Sequence, residues 1–311
     1  MKPPKTYISA APHIHVKETV NDIMLDVVIA LLPAAVMGVY FFGFRAALII
    51  IVSVVSAVVC EFLFCVLTKR PQTAWDLSAV ISGLLLAFSL SASVPLWLPA
   101  LGSGFAIIFI KKILGGLMRN LLNPALSAKV LLLIAFPLIM TRETYIAMNL
   151  GSLFMGNILG SIGETSSWAL LLGAGYLLIR RVISWRIPVA FLAAFTLLVF
   201  IFGTGDGLFT GNPLYELLLG SILLGAFFMA TDYSTSPMTP PGQIIFGLGC
   251  GIVSAVLRFY GGLPQGSTYA ILFMNLWVPL IDKFIKPKVY GTQNRSPGKS
   301  LGKGMNIRRR K

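Results

Sequence analysis

The run Ala46-Ala-Leu-Ile-Ile-Ile-Val-Ser-Val-Val-Ser-Ala-Val-Val-Cys60 decides the fold class. It carries no charge and does not alternate polar with apolar residues. A membrane β-barrel needs short strands of alternating polarity, one face to lipid and one to the lumen. This run fails that pattern and fits a helix solvated by lipid on one side. Working outward, comparable apolar runs recur along the whole chain. Before the midpoint they cover 23–42, 45–67, 77–92, 96–113 and 124–140; after it, 168–179, 187–202, 214–230, 243–260 and 268–284. The reading is an all-α integral membrane protein of about ten transmembrane helices. The third and sixth runs are short, as helices beside a binding site in such bundles often are.

Composition agrees. The 311 residues are 56% hydrophobic and only 12% charged, about half the charge of a typical soluble domain. The mean hydropathy is +0.84. A net charge of +14 would point to nucleic acid in a soluble chain. Here the basic residues sit between and after the apolar runs and form no stripe with interleaved aromatics, so anionic lipid headgroups are the expected counter-charge and nucleic acid is not expected. Lys2, Lys5, Lys17, Lys69, Arg70, Lys111, Lys112, Arg119, Arg180, Arg181, Arg186 and the tail from Lys283 to Lys311 fall on one side of an alternating ten-span path. That asymmetry predicts both termini in the cytoplasm, with the chain in the inner (cytoplasmic) membrane. Cys60, Cys65 and Cys250 lie in apolar segments without a CxxC pair, so buried thiols are expected rather than a disulfide frame or a cluster site. His13 and His15 have no further ligands nearby and read as surface residues.

A repeat divides the chain. Gly83-Leu-Leu-Leu-Ala-Phe88 is followed by Ser91-Ala-Ser93, Pro95, Pro99, Gly102 and Gly104. Ile222-Leu-Leu-Gly-Ala-Phe227 is followed by Ser234-Thr-Ser236, Pro237, Pro241, Gly247 and Gly249. With five spans per half the copies run in opposite directions, predicting two inverted five-helix repeats. The expected organisation is a cytoplasmic segment (1–22), a first repeat (23–140), an extracytoplasmic loop (141–167), a second repeat (168–285) and a basic cytoplasmic tail (286–311).

The loop carries the chemistry. Gly151 to Trp168 reads Gly-Ser-Leu-Phe-Met-Gly-Asn-Ile-Leu-Gly-Ser-Ile-Gly-Glu-Thr-Ser-Ser-Trp. It is too polar to span, and it ends at a helix start, where backbone N–H groups and the helix dipole favour an anion. Thr165 or Ser166 as a plain N-cap is the simpler reading; the two are compatible. Asp26, Glu61, Lys129, Asp232, Arg258 and Asp282 are ionisable groups within or at the ends of apolar runs, where a charge needs a partner or water. Gly247-Leu-Gly-Cys-Gly251 lies inside an apolar helix and reads as close helix packing, not a nucleotide loop.

Gly160-Ser-Ile-Gly-Glu-Thr-Ser166 resembles the flavin-attachment segment of the RnfD/NqrB family of membrane redox subunits. Phe228-Met-Ala-Thr-Asp-Tyr-Ser-Thr-Ser-Pro237 resembles a second signature of that family. Asn123-Pro-Ala125 matches the start of its fifth helix, and Tyr269-Ala-Ile-Leu-Phe-Met-Asn275, with Pro279 and Asp282, matches its last helix. The resemblance covers about residues 20–290 and, with only about 20 residues before the first run, is closer to the RnfD than to the NqrB branch. It implies FMN bound through its phosphate to Thr165 by a phosphoester, with Gly163, Ser166 and Trp168 beside it. Ile162 stands where the family's attachment pattern usually has Ser or Thr. It further implies a second, non-covalent flavin (riboflavin), for which Asp76 and Asp232 are candidate wall residues. The implied activity is that of an Rnf-type complex coupling electron transfer between ferredoxin and NAD to Na⁺ or H⁺ translocation. The implied partners are a second FMN-bearing subunit, iron–sulfur subunits and a flavin transferase. The competing readings are an NqrB-like quinone-reductase subunit and a non-redox permease.

Overall fold

The first helix begins where the chain first supplies both a cap and an apolar run. Thr19 accepts from the Asp22 N–H while the Asp22 carboxylate takes the Thr19 N–H, a closed capping box. In the computed structural model, residues 19–115, 120–140, 149–156, 160–203, 209, 211–219, 221–263 and 265–286 are described. Expectations for the segment 1–18 with His13 and His15, for Arg119, for 141–148 and 157–159 of the loop, and for the tail from 287 lie outside them.

The helices follow in order: α1 Val20–Phe42, α2 Phe44–Leu67, α3 Ser78–Phe88, α4 Trp97–Phe105, α5 Pro124–Ala135, α6 Pro137–Met140, α7 Leu150–Met155, α8 Ser167–Ile179, α9 Arg186–Phe202, α10 Pro213–Leu218, α11 Ile222–Leu224, α12 Pro240–Phe259 and α13 Gly266–Phe284. α4 runs on into a π-helical segment, Ala106–Ile113, and α11 into another, Gly225–Met229. Among the described residues the one departure from helix and loop is an isolated antiparallel bridge between Ser91 and Ser161. α1, α2 and α12 are each long and apolar enough to cross a membrane; α3, α5, α8 and α9 are shorter apolar helices.

Two expected runs are broken. The fifth stops at Phe136, ahead of Pro137, whose ring cannot continue the α-helical ladder. The eighth divides into α10, α11 and the π segment around Leu219, whose extended backbone interrupts it. Arg258 of α12 donates to the Glu216 and Leu219 carbonyls at 3.2 and 2.9 Å and pairs with the Glu216 carboxylate at 2.8 Å, satisfying carbonyls that the break leaves free.

The lateral faces of the long helices are apolar and exposed. On α1, Asp26, Ala30, Leu31, Ala34 and Gly38 turn inward, while Leu25, Ile29, Leu32, Val36 and Tyr40 face outward. Water would not tolerate so continuous an apolar surface; lipid does. Small residues set the inner contacts. A Cβ on Gly247 or Gly251 of α12 would meet the Ile187 and Phe191 carbonyl oxygens of α9 at 2.7 and 2.5 Å, so this glycine stripe serves close packing, as its place in an apolar helix predicts. On α8, a Cβ at Gly173 would lie 2.0 Å from the Ala30 oxygen of α1, whereas one at Gly175 would meet nothing within 4 Å. Gly173→Ala is therefore expected to lower stability by about 2–3 kcal/mol. Gly175→Ala should be neutral or stabilising by up to about 1 kcal/mol. Thermal melts of the two variants in the same detergent check the pair.

Candidate functional site

α3 is the element on which the site is built. Its last carbonyl, which a helix end leaves without an intrahelical donor, and that of Leu90 just beyond it are met by the loop that precedes α8. Gly163 N–H donates to Phe88 O and Ile162 N–H to Leu90 O, both at 2.9 Å. The loop is clamped on three sides. A Cβ on Gly163 would stand 2.3 Å from the Phe88 side chain, one on Gly38 of α1 would stand 2.6 Å from Ile162 O, and one on Gly156 would stand 2.9 Å from Ser166. Gly163 is thus required for close approach to Phe88, and its N–H is spent on a carbonyl rather than left for an anion. The apolar Ile162 is fully buried in the same packing.

Thr165 is only 1% exposed, and its hydroxyl makes one long contact, 3.5 Å to Ile162 O. Ser166 is the N-cap residue of α8, yet its side chain caps nothing. The helix start keeps its free N–H groups and its positive dipole end. Ser161 Oγ, Glu164 Oε2, Ser166 Oγ and Trp168 Nε1 are all buried without a hydrogen-bond partner among the described residues. Buried polar groups are normally satisfied, and here four orphans fall within eight consecutive residues. Lys129 of α5, fully buried, reaches Glu164 Oε1 at 3.3 Å and brings a cation to the loop. Hydroxyls, a cation and an open helix N-terminus form a donor set that fits a phosphate ester.

The same half-helix reaches a second site. Ser78, Ser82 and Leu85 of α3 line a cavity of about 820 Å³, counting the part open at its mouth. Leu85 is three residues from Phe88, about 4.5 Å along the axis. Phe227 and Phe228 of the second π segment, Lys111 of the first, Asn123 and Asp232 complete much of the wall. Asn123 caps α5 through Ala125 and Leu126 N–H at 3.1 and 3.2 Å and donates to Met229 O at 3.3 Å. Asp232 accepts from Ser234 N–H and Oγ and from Thr235 Oγ1. Asp76 stands behind the wall: one carboxylate oxygen holds Ser78, while the other is buried and unpartnered. Of the two aspartates singled out in the sequence, Asp232 lines the cavity and Asp76 supports a residue that does.

The remaining buried charges find partners that the linear sequence did not show. Glu61 of α2, fully buried, is held by Lys111 Nζ at 2.6 Å and Lys112 Nζ at 2.8 Å, with Thr73 donating as well. Both lysines end the first π segment, where the widened turn lets neighbouring residues share one carboxylate. Asp26 pairs with Arg180 at 3.1 Å and accepts from Tyr176. Asp282 takes the Met238 N–H at 3.3 Å, a helix-end role. The legible signal was the presence of Glu61 and Lys129 in apolar runs; the matching of each with its partner was not.

Residues 7–291 match the model of the NQR2, RnfD, RnfE family. The chain belongs to that family. As a family member it is a multi-pass membrane protein, in keeping with its lipid-facing helices. It is 40% identical to a subunit of the Na⁺-translocating ferredoxin:NAD⁺ oxidoreductase complex of Acetobacterium woodii, over 91% of this chain and 95% of the relative. It is 39% identical to the corresponding subunit of the proton-translocating ferredoxin:NAD⁺ oxidoreductase complex of Clostridium ljungdahlii, over 92% and 96%. It is 36% identical to the corresponding subunit of the ion-translocating oxidoreductase complex of Stutzerimonas stutzeri, over 92% and 96%. The first two relatives are named for different ions at nearly the same identity, so overall similarity within the family does not separate Na⁺ from H⁺.

Proposed function

We propose that this chain is the flavin-carrying membrane subunit of an Rnf-type complex that couples electron transfer between ferredoxin and NAD to Na⁺ or H⁺ translocation. The observation that carries this reading is the group of orphaned polar atoms around Thr165 at the open N-terminus of α8. The relatives support it, since those from Acetobacterium woodii and Clostridium ljungdahlii are named as subunits of ferredoxin:NAD⁺ oxidoreductase complexes. In this reading the ten apolar runs form two inverted repeats, both termini are cytoplasmic in the inner membrane, and the Thr165 loop faces outward. The other subunits, including a second FMN-bearing one and iron–sulfur subunits, react with ferredoxin and NAD.

FMN is the proposed covalent group, held as a phosphoester on Thr165. A flavin transferase supplies it from FAD: the Thr165 Oγ1–P bond forms, the pyrophosphate bond breaks, and AMP leaves while the hydroxyl proton passes to solvent. Ser161, Ser166 and the first N–H groups of α8 would hold the phosphate, with Trp168 nearby in the sequence. Because Thr165 is buried, the transferase reaches it only while the loop is lifted from Phe88 and Leu90. A bound flavin takes up one or two electrons together with protons. A second, non-covalent flavin (riboflavin) is assigned to the cavity walled by Asn123, Phe228 and Asp232. α3 touches both sites, so a charge change at either bears on the same helix. Uncompensated charge in a low-dielectric bundle costs several kcal/mol, which gives a compensating cation reason to move.

Intact mass spectrometry of the purified chain tests the covalent reading: an added FMN mass placed on Thr165 supports it, and an unmodified Thr165 in chain co-produced with the transferase refutes it. For the cavity, Asn123→Leu removes the α5 cap and the Met229 contact. It is expected to reduce the flavin released on denaturation to well under half while leaving the covalent flavin in place. Equal release from wild type and variant counts against the assignment.

A further inference from the structure

Building on the covalent flavin reading, we propose that Lys129 is the positioning residue for the phosphate ester on Thr165, and that Glu164 holds its charge until the ester is made. Among the described residues two buried glutamates, Glu61 and Glu164, pair with lysines, and they are satisfied to very different degrees. Lys111 makes contacts of 2.6 and 2.5 Å, to Glu61 and Ser78 Oγ, and Glu61 takes donors from Lys111, Lys112 and Thr73. Lys129 makes one contact, 3.3 Å to Glu164 Oε1, longer than the usual 2.7–2.9 Å of a charge-assisted bond.

The other two Lys129 donors meet no partner among the described residues, and neither does Glu164 Oε2. A fully buried ion pair is tolerated when its remaining donors and acceptors are filled. This one is half filled, and Ser161 Oγ and Ser166 Oγ of the same loop are unfilled as well. A phosphodiester brings one negative charge and two non-bridging oxygens, the acceptors that ammonium and hydroxyl donors lack. An ammonium is a compact charge with three rotatable donors, so Lys129 can turn from Glu164 toward the ester. The glutamate then competes with the phosphate for Lys129 rather than helping to bind it.

That asymmetry is the test. The full chain is co-produced with the flavin transferase, and the fraction carrying the added FMN mass is read under limiting transferase. Lys129→Met is expected to lower loading about tenfold or more, the equivalent of one charge-assisted hydrogen bond. The doubly substituted Lys129→Met/Glu164→Gln chain, which leaves no lone buried charge, should show the same loss while eluting as a monodisperse species. Glu164→Gln alone should load at least as well as wild type. A plain structural bridge predicts the opposite pattern: either single substitution equally harmful and the neutral double substitution restored. Loading of the double variant at the wild-type level, or a loss with Glu164→Gln matching that of Lys129→Met, overturns the proposal. If wild type itself carries no FMN, the flavin reading has failed, and this inference fails with it.

Discussion

Thr165→Val is expected to abolish the proposed covalent flavin: a denaturing gel of the purified variant should show only background fluorescence where wild type should give a bright band, and the FMN mass increment should disappear. The substitution keeps the volume and branching of the side chain and removes only the oxygen. In the structure that oxygen makes a single 3.5 Å contact, with Ile162 O. Its loss should cost less than about 1 kcal/mol. The variant therefore melts within a few degrees of wild type, which separates a missing attachment atom from a damaged fold. Ser166→Ala is the matched control. Ser166 is equally buried and offers a hydroxyl without a partner among the described residues, but it is a proposed phosphate donor rather than the attachment residue, so its variant is expected to load less yet still carry a covalent flavin. Fluorescence that persists in Thr165→Val and vanishes in Ser166→Ala moves the attachment to the neighbouring hydroxyl.

Locking the loop onto α3 before the flavin arrives should block loading just as completely. Ser91 and Ser161 face each other across the single antiparallel bridge, and the adjacent bond from Ile162 N–H to Leu90 O makes them a non-hydrogen-bonded pair. Such pairs have Cα atoms about 4.5 Å apart, within the span of a disulfide. The double substitution Ser91→Cys/Ser161→Cys, oxidised before exposure to transferase and FAD, is expected to stay unloaded. Reduction should restore loading toward the level of the Ser161→Cys single variant. Full loading of the oxidised chain would show that Thr165 is reached without release of the loop.

Much of the architecture was readable in the sequence because lipid imposes a simple rule: every backbone polar group in the apolar layer must be satisfied within its own helix. Apolar runs therefore became helices nearly residue for residue, as at Phe44–Leu67 and Arg186–Phe202. The Gly247–Gly251 stripe packed as its spacing indicated. The interruptions at Pro137 and Leu219 were not read, since an average over a run is blind to a local break that neighbouring helices repair.

At the site, the linear order of residues was enough to show the hydroxyls of Ser161, Thr165 and Ser166, their place just ahead of a helix, and ionisable groups in apolar runs that had to find partners. The pairings came from the packing of the helices. Lys129 meets Glu164 across 35 residues and Lys111 meets Glu61 across 50. Gly163 presses against Phe88, and α3 bridges the Thr165 loop and the Asp232 cavity. Helix formation is governed by interactions three and four residues apart and is therefore written locally. Which buried cation faces which carboxylate depends on how rigid helices pack, and no local pattern encodes that.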